Sequence, residues 1–237
     1  RAVETIGTGE VTGFLVGDIG LGNGSRRLYE MLVRDLSGYD LESLTFHYLQ
    51  PDVDWHNRVR FAVDEMPRRP LLIADAGFMY AAKMSGSAAQ YDLFTPDAGE
   101  LAFLADEAAP HPFYTRGFIL HDENKVPDLI QRAYSHNNAA RHLLVKGEID
   151  RLADRSGILE SVDEPSVDAM EAMGGTGDTL TGLAAALIGA NGLSLPQAAI
   201  AAARINREAG ALADLTPASQ VADLIRHLPR AMEKVLT

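Results

Sequence analysis

The chain has 237 residues, 46% of them hydrophobic and 23% charged, and a formal net charge of -12 at pH 7. That acidic balance argues against a general nucleic-acid or anionic-membrane surface but leaves room for a small anionic ligand in a local site, and the absence of cysteine excludes a disulfide framework and a thiolate zinc site. No apolar run approaches the roughly 18 residues of a membrane span, no signal-peptide pattern opens the chain, and a cytoplasmic enzyme in one domain, 1–237, is expected.

Apolar runs of strand length alternate with helix-period segments. "TGFLVG" (12–17) reads as a buried strand. "SRRLYEMLVRDL" (25–36) places Leu28, Met31, Leu32 and Leu36 on one face and reads as a helix. "SLTFHYL" (43–49) is a predicted strand and "VDWHNRVRFAVDEM" (53–66) a predicted helix. "PLLIAD" (70–75) has the continuous apolar character of a strand buried on both faces. "YDLFT" (91–95) and "HLLVK" (142–146) are further strands, with a helix over "GELAFLADEA" (99–108) between them. "EIDRLADRSGILESV" (148–162) reads as a hairpin turning at "DRSG". Three helical blocks follow, near 178–190, 195–213 and 219–236, with Pro196 and Pro217 near the starts of the last two. Such alternation implies a mostly parallel sheet with helices on both faces and ligands outside the carboxyl ends of the strands.

Two glycine-rich loops stand between a predicted strand and a predicted helix. In "GDIGLGNGSRRLYE" (17–30), Gly20, Gly22 and Gly24 make G-x-G-x-G, which is neither the dinucleotide fingerprint nor a P-loop. It is either a ligand-contacting loop or a flexible connection with Ser25 as helix cap. In "AMGGTGDTLTGLAAAL" (172–187), Gly174, Gly175 and Gly177 bring bare backbone to the start of a helix. The free N–H groups and positive dipole end of that helix suit a phosphate. Asp178 could serve there as a helix cap, but a cap requires no three preceding glycines, and the combination points to function.

The segment 174–213, "GGTGDTLTGLAAALIGANGLSLPQAAIAAARINREAGALA", resembles the C-terminal signature of the ribokinase-like superfamily, and within it the NAD(P)H-hydrate dehydratase family. Weaker similarity runs upstream through "HLLVKGEIDRLADRSGILES" (142–161), "TPDAGELAFL" (95–104), "LLIADAGFM" (71–79) and "GFLVGDIGLGNGS" (13–25). The chain departs from the family pattern on the substrate side. It lacks an Asn-Pro step before the glycine motif, has Asp97 for the histidine of T-P-H-P-G-E, has no G-P-G-L-G loop, and has Asn206 for a late histidine.

The resemblance implies an α/β fold, a three-layer αβα sandwich with a mostly parallel central sheet and a small β-hairpin. It implies Gly174, Gly175, Thr176 and Gly177 as the nucleotide anion hole, Asp178 as catalytic base, and Lys146 with Gly147 as phosphate contacts. Asp75, Gly22, Gly24 and Ser25 are substrate-side candidates, and Glu100 is an indirect magnesium candidate. The expected cofactors are ADP or ATP and Mg2+, and the expected activity is nucleotide-dependent dehydration of NAD(P)H hydrate by phosphoryl transfer to a hydroxyl. An ATP-dependent kinase of a small hydroxylated metabolite and a non-catalytic nucleotide-binding relative are the alternatives. A homo-oligomer binding nucleotide and a small molecule, and no nucleic acid or membrane, is expected. The seven histidines show no H-x-x-x-H metal spacing, and "AAPHPFYTRGF" (108–118) reads as a substrate lid or an oligomer contact.

Overall fold

The computed structural model describes residues 2–6, 9–110, 125–190 and 193–236. Six strands lie in one sheet in the order β1 (Ser43–Phe46), β2 (Leu71–Ala74), β3 (Leu93–Phe94), β4 (His142–Val145), β5 (Asp150–Asp154) and β6 (Gly157–Val162). β1 through β4 run parallel, and β5 and β6 form the antiparallel hairpin predicted at 148–162. The α/β class and the mostly parallel sheet are as expected. By internal packing the chain divides into two compact units, Thr12–Leu143 and Arg1–Val11 with Leu144–Thr237.

In the first unit, α2 (Asn23–Asp35) packs on α3 (Val53–Asp64), and α5 (Ala98–Ala105) packs on α6 (Val126–Ser135). Local chemistry fixes several starts. The Asp52 carboxylate accepts from the Trp55 amide at the head of α3, and Asp97 with Glu100 closes a capping box on α5. The core is aromatic. The rings of Phe46 and Phe78 stack 3.9 Å apart, and Tyr91 meets Phe94 at 5.2 Å. The buried face of α2 is Ser25, Tyr29 and Leu32, leaving Leu28 and Met31 at its margin. The Tyr29 hydroxyl donates to the Gln50 carbonyl at 2.6 Å. His56, fully buried, shares a 2.9 Å hydrogen bond with the Tyr91 hydroxyl and approaches Asn57 and Ser85 at 3.2 Å.

Two expectations change here. Residues 12–17 form no strand: Leu15 is 94% exposed, and no ladder partner takes up the segment. An apolar run specifies a strand only when a neighbouring strand accepts its backbone groups, and β1 pairs directly with β2 instead. Ser25 does not cap α2; it lies inside the first turn, 2% exposed, and its hydroxyl accepts from the Gln50 amide at 3.2 Å. Residues 76–84, for which no element is predicted, form α4 (Ala76–Met84). From residue 111 onward, the 108–118 loop lies outside the described residues.

In the second unit, α7 (Thr176–Ala190) packs on α8 (Leu195–Leu212), and α8 on α9 (Val221–Leu236), as the three predicted helical blocks require. The short α1 (Ala2–Ile6) rests on α7 and α9. Ser194 and Gln197 form a capping box on α8, with Pro196 in its first turn. The Arg207 side chain, mid-α8, is buried with Asp150 as its ion-pair partner at 2.8 Å.

Candidate active site

The glycine motif of the second unit stands at the head of α7. The Thr179 amide donates to the Gly175 carbonyl at 3.0 Å, so the helix opens at Gly175 and Asp178 sits inside its first turn rather than at the cap. A helix start leaves its first amides without intrahelical acceptors, here those of 176–178, and adds the positive end of the dipole. The Thr176 hydroxyl is turned back, donating to the carbonyls of Met170 at 3.0 Å and Met173 at 3.2 Å, which fixes the loop from behind.

The three glycines have different reasons to be there. Gly175 has φ +97, and a Cβ on it would stand 3.1 Å from Val221 at the head of α9. Gly177 has ordinary φ, but a Cβ there would meet the Lys146 side chain, with Nζ at 3.3 Å. Gly174 faces open space. The missing Cβ of Gly177 therefore lets a cation reach the start of α7. Lys146 follows β4, and the next residue, Gly147, donates its amide to Asp150 at 3.2 Å. Lys146 and 174–178 thus belong to one cluster within this unit: amides, a dipole end and an ammonium suited to an anion, with a carboxylate beside them, whereas the Gly147 amide, expected as a phosphate contact, is taken up by Asp150.

The substrate-side candidates converge in the other unit. Asp75 follows β2, is 1% exposed and caps α4, accepting from the Ala76 amide at 2.9 Å. Its carboxylate stands 3.3 Å from Nδ1 of His47, the residue that follows β1. Four non-glycine residues among those described have positive φ, and two of them, Tyr48 (φ 51) and Ala76 (φ 48), flank this pair. Strained backbone is concentrated at functional sites because something must hold it there. Gly77 helps to hold it: a Cβ would collide with the Leu49 carbonyl, so α4 closes directly on the 47–50 segment. Gly24 makes the same kind of approach to the Gly17 carbonyl, and Ser25 meets Gln50. Sequence reasoning reached Asp75 and missed His47, which no local motif marks.

The first glycine loop already holds an anion, one of its own. The Asp18 carboxylate accepts from the amides of Gly20 at 3.1 Å, Gly22 at 3.0 Å and Ser25 at 3.0 Å. The Ser25 amide foremost holds the Asp18 carboxyl below its usual range; desolvation, next in size, opposes it, and the Gly22 amide, the Ser25 hydroxyl and the Gly20 amide add to the lowering. Gly22 (φ 74) supplies the left-handed turn. Glu100 is likewise engaged: one carboxylate oxygen accepts from the Asp97 amide at 2.9 Å and the other from the Tyr80 hydroxyl at 3.1 Å.

The α/β architecture, with its mostly parallel sheet flanked by helices, is of ribokinase-like type. The NAD(P)H-hydrate dehydratase family model of carbohydrate-kinase type matches residues 53–230, and the chain belongs to that family. It is 38% identical over 237 residues to MJ1337, an uncharacterized protein of Methanocaldococcus jannaschii, covering 100% of this chain and 97% of that one. Two crystal structures of Escherichia coli phosphofructokinase-2 share the fold. One is of a mutant and the other of the complex with potassium; each has a TM-score of 0.54, with identities of 18% and 17%. Each match covers 88% of this chain, which spans 62% of the length of those structures. Among the described residues no helix is long and apolar enough to cross a membrane.

Proposed function

We propose that the protein catalyses nucleotide-dependent dehydration of NAD(P)H hydrate. The observation that carries this reading is the head of α7 in a chain of the NAD(P)H-hydrate dehydratase family: glycine amides, Lys146 and Asp178 in one cluster. ADP or ATP binds with its terminal phosphate at 174–177 and its adenine toward α8 and α9. The substrate hydroxyl attacks the terminal phosphorus while Asp178 accepts its proton, and the bond to the nucleotide's bridging oxygen breaks. The amides of Gly174–Gly177 and the Lys146 ammonium stabilise charge on the transferring oxygens. The phosphate then leaves with the C–O bonding pair, the ring nitrogen supplies electrons, and loss of a proton from the adjacent carbon restores the dihydropyridine.

Magnesium enters this reading on the nucleotide's own phosphates, where it would neutralise charge. Glu100 enters as an indirect candidate, through water, since each of its oxygens already accepts one hydrogen bond. The test is to incubate the protein with NADH hydrate and either ATP or ADP and to follow recovery of NADH absorbance. No recovery with either nucleotide overturns the reading.

One observation favours a second reading, an ATP-dependent kinase of a small hydroxylated metabolite. The substrate-side glycine loop is filled by Asp18, and a His47–Asp75 pair stands nearby in the same unit, a polar arrangement suited to hydroxyl groups. A screen of small alcohols for phosphorylation distinguishes the two. We also propose a homo-oligomer, supported by the large apolar side chains of Val11, Leu15, Ile19 and Leu21 exposed along one stretch.

A further inference from the structure

Two consecutive residues of α8 hold the two separate stretches that carry the anion cluster. Asn206, 4% exposed, donates through Nδ2 to the Thr176 carbonyl at 3.1 Å, and its Oδ1 lies 2.7 Å from the Thr179 hydroxyl. That hydroxyl is also 2.7 Å from the Thr176 carbonyl, so the three groups form a closed set. Arg207 turns about 100° away around the helix. It donates to the carbonyls of Gly147 at 2.9 Å, Glu148 at 2.8 Å and Asp163 at 3.0 Å, as well as to Asp150. Asn206 thus grips the first turn of α7, and Arg207 grips the turn after Lys146.

The grip of Asn206 falls on one particular peptide. In a trans peptide the C=O of one residue and the N–H of the next point in opposite directions. Holding the Thr176 carbonyl toward α8 therefore aims the Gly177 N–H away from α8, toward the start of α7. Neighbouring positions along α8 are mostly small and apolar, among them Ala198, Ala199, Ala202, Ala203 and Ala209. A buried amide costs free energy unless it is bonded, and the two groups that Asn206 bonds, the Thr176 carbonyl and the Thr179 hydroxyl, both lie in the first turn of α7.

We infer that Asn206 is a positioning residue that fixes the α7 amides in the orientation required by the transferring phosphoryl group. The inference rests on the phosphoryl-transfer reading of 174–178. Preorganised donors matter most where charge develops, so their loss weakens transition-state binding more than ground-state binding. A side chain that merely packs helices together would affect both alike.

The test compares the wild-type chain with Asn206→Ala and with Thr179→Val, which removes the partner hydroxyl at nearly constant volume. Affinity for ADP, and for ADP with fluoroaluminate as a planar phosphoryl mimic, is measured by calorimetry, with AMP and fluoroaluminate for an ADP donor. Both variants are expected to bind the fluoroaluminate complex about tenfold or more weakly, while nucleotide affinity alone stays within about threefold. Equal weakening of both forms, or no weakening of either, overturns the inference. If Asn206→Ala does not fold, Thr179→Val decides on the same criterion. A wild-type chain that binds neither form overturns the phosphoryl-transfer reading itself, and this inference with it.

Discussion

His47 and Asp75 face each other at 3.3 Å across the ends of two adjacent parallel strands, 28 positions apart in the chain. The carboxylate is buried and, although the imidazole side chain is partly exposed, both of its ring nitrogens are buried. Asparagine caps a helix about as well as aspartate, so Asp75→Asn keeps the α4 cap and removes the charge. It should leave the melting temperature nearly unchanged and raise KM for the acceptor about tenfold or more, the size of a lost charged hydrogen bond. Nucleotide affinity should not change. Steady-state kinetics with calorimetry decides, and unchanged KM would remove Asp75 from the substrate side.

Asp178→Asn separates the base from the dipole. If Asp178 takes the acceptor proton, turnover should fall at least ~100-fold. Nucleotide affinity should hold within roughly tenfold or improve, since a negative charge facing phosphate has gone. Because Gly175 opens the helix, Asp178→Ala should cost only about 0.3–1 kcal/mol of dipole interaction rather than a full cap. Retained turnover in Asp178→Asn ends the base assignment.

The glycines predict opposite outcomes at neighbouring positions. Gly175→Ala introduces a Cβ at φ +97 against Val221, and stability should fall by about 1 kcal/mol or more. Gly177→Ala has ordinary helical φ and should gain up to about 1 kcal/mol from propensity, yet it pushes Lys146 aside. Its nucleotide affinity should therefore drop while its melting temperature does not. A Gly177→Ala protein with wild-type affinity would show that Lys146 contributes nothing to binding.

Acid should unfold the first unit partly through His56. Burial pushes its pKa down to about 4, against a smaller upward effect of the Asn57 hydrogen bond. The folded pKa lies below the unfolded value of about 6.5, so the unfolded chain binds the extra proton first. The stabilisation is fully present above pH 6.5 and is lost as pH falls toward 4, by roughly 2 kcal/mol between pH 7.5 and 5. Urea titrations at both pH values should show this loss in the wild type and a smaller one in His56→Gln. Equal losses would assign the acid sensitivity to other groups.

Local chemistry made much of the fold legible. The Asp97–Glu100 and Ser194–Gln197 capping boxes and the "DRSG" turn are written in a few adjacent residues, and their elements stand where the spacing predicts. Segment 12–17 failed because strand pairing is a non-local decision that an apolar run cannot make alone. α4 was obscured because its residues are buried nearly all round, which hides helical periodicity. α6 was not read, although Pro127 in its first turn was a signal for a helix start. At the site, the glycine motif announced itself, while His47 depends on strand adjacency. Asp18 could have been found, since an aspartate two residues before a glycine is a familiar side-chain-to-backbone turn.

The carboxylate in the first glycine loop has a consequence for competition. A tethered group acts at an effective concentration in the millimolar range or above, and Asp18 already satisfies three amides with its own charge. Free phosphate or sulfate must outcompete a rival that never diffuses away. The loop is therefore deaf to ambient inorganic anions.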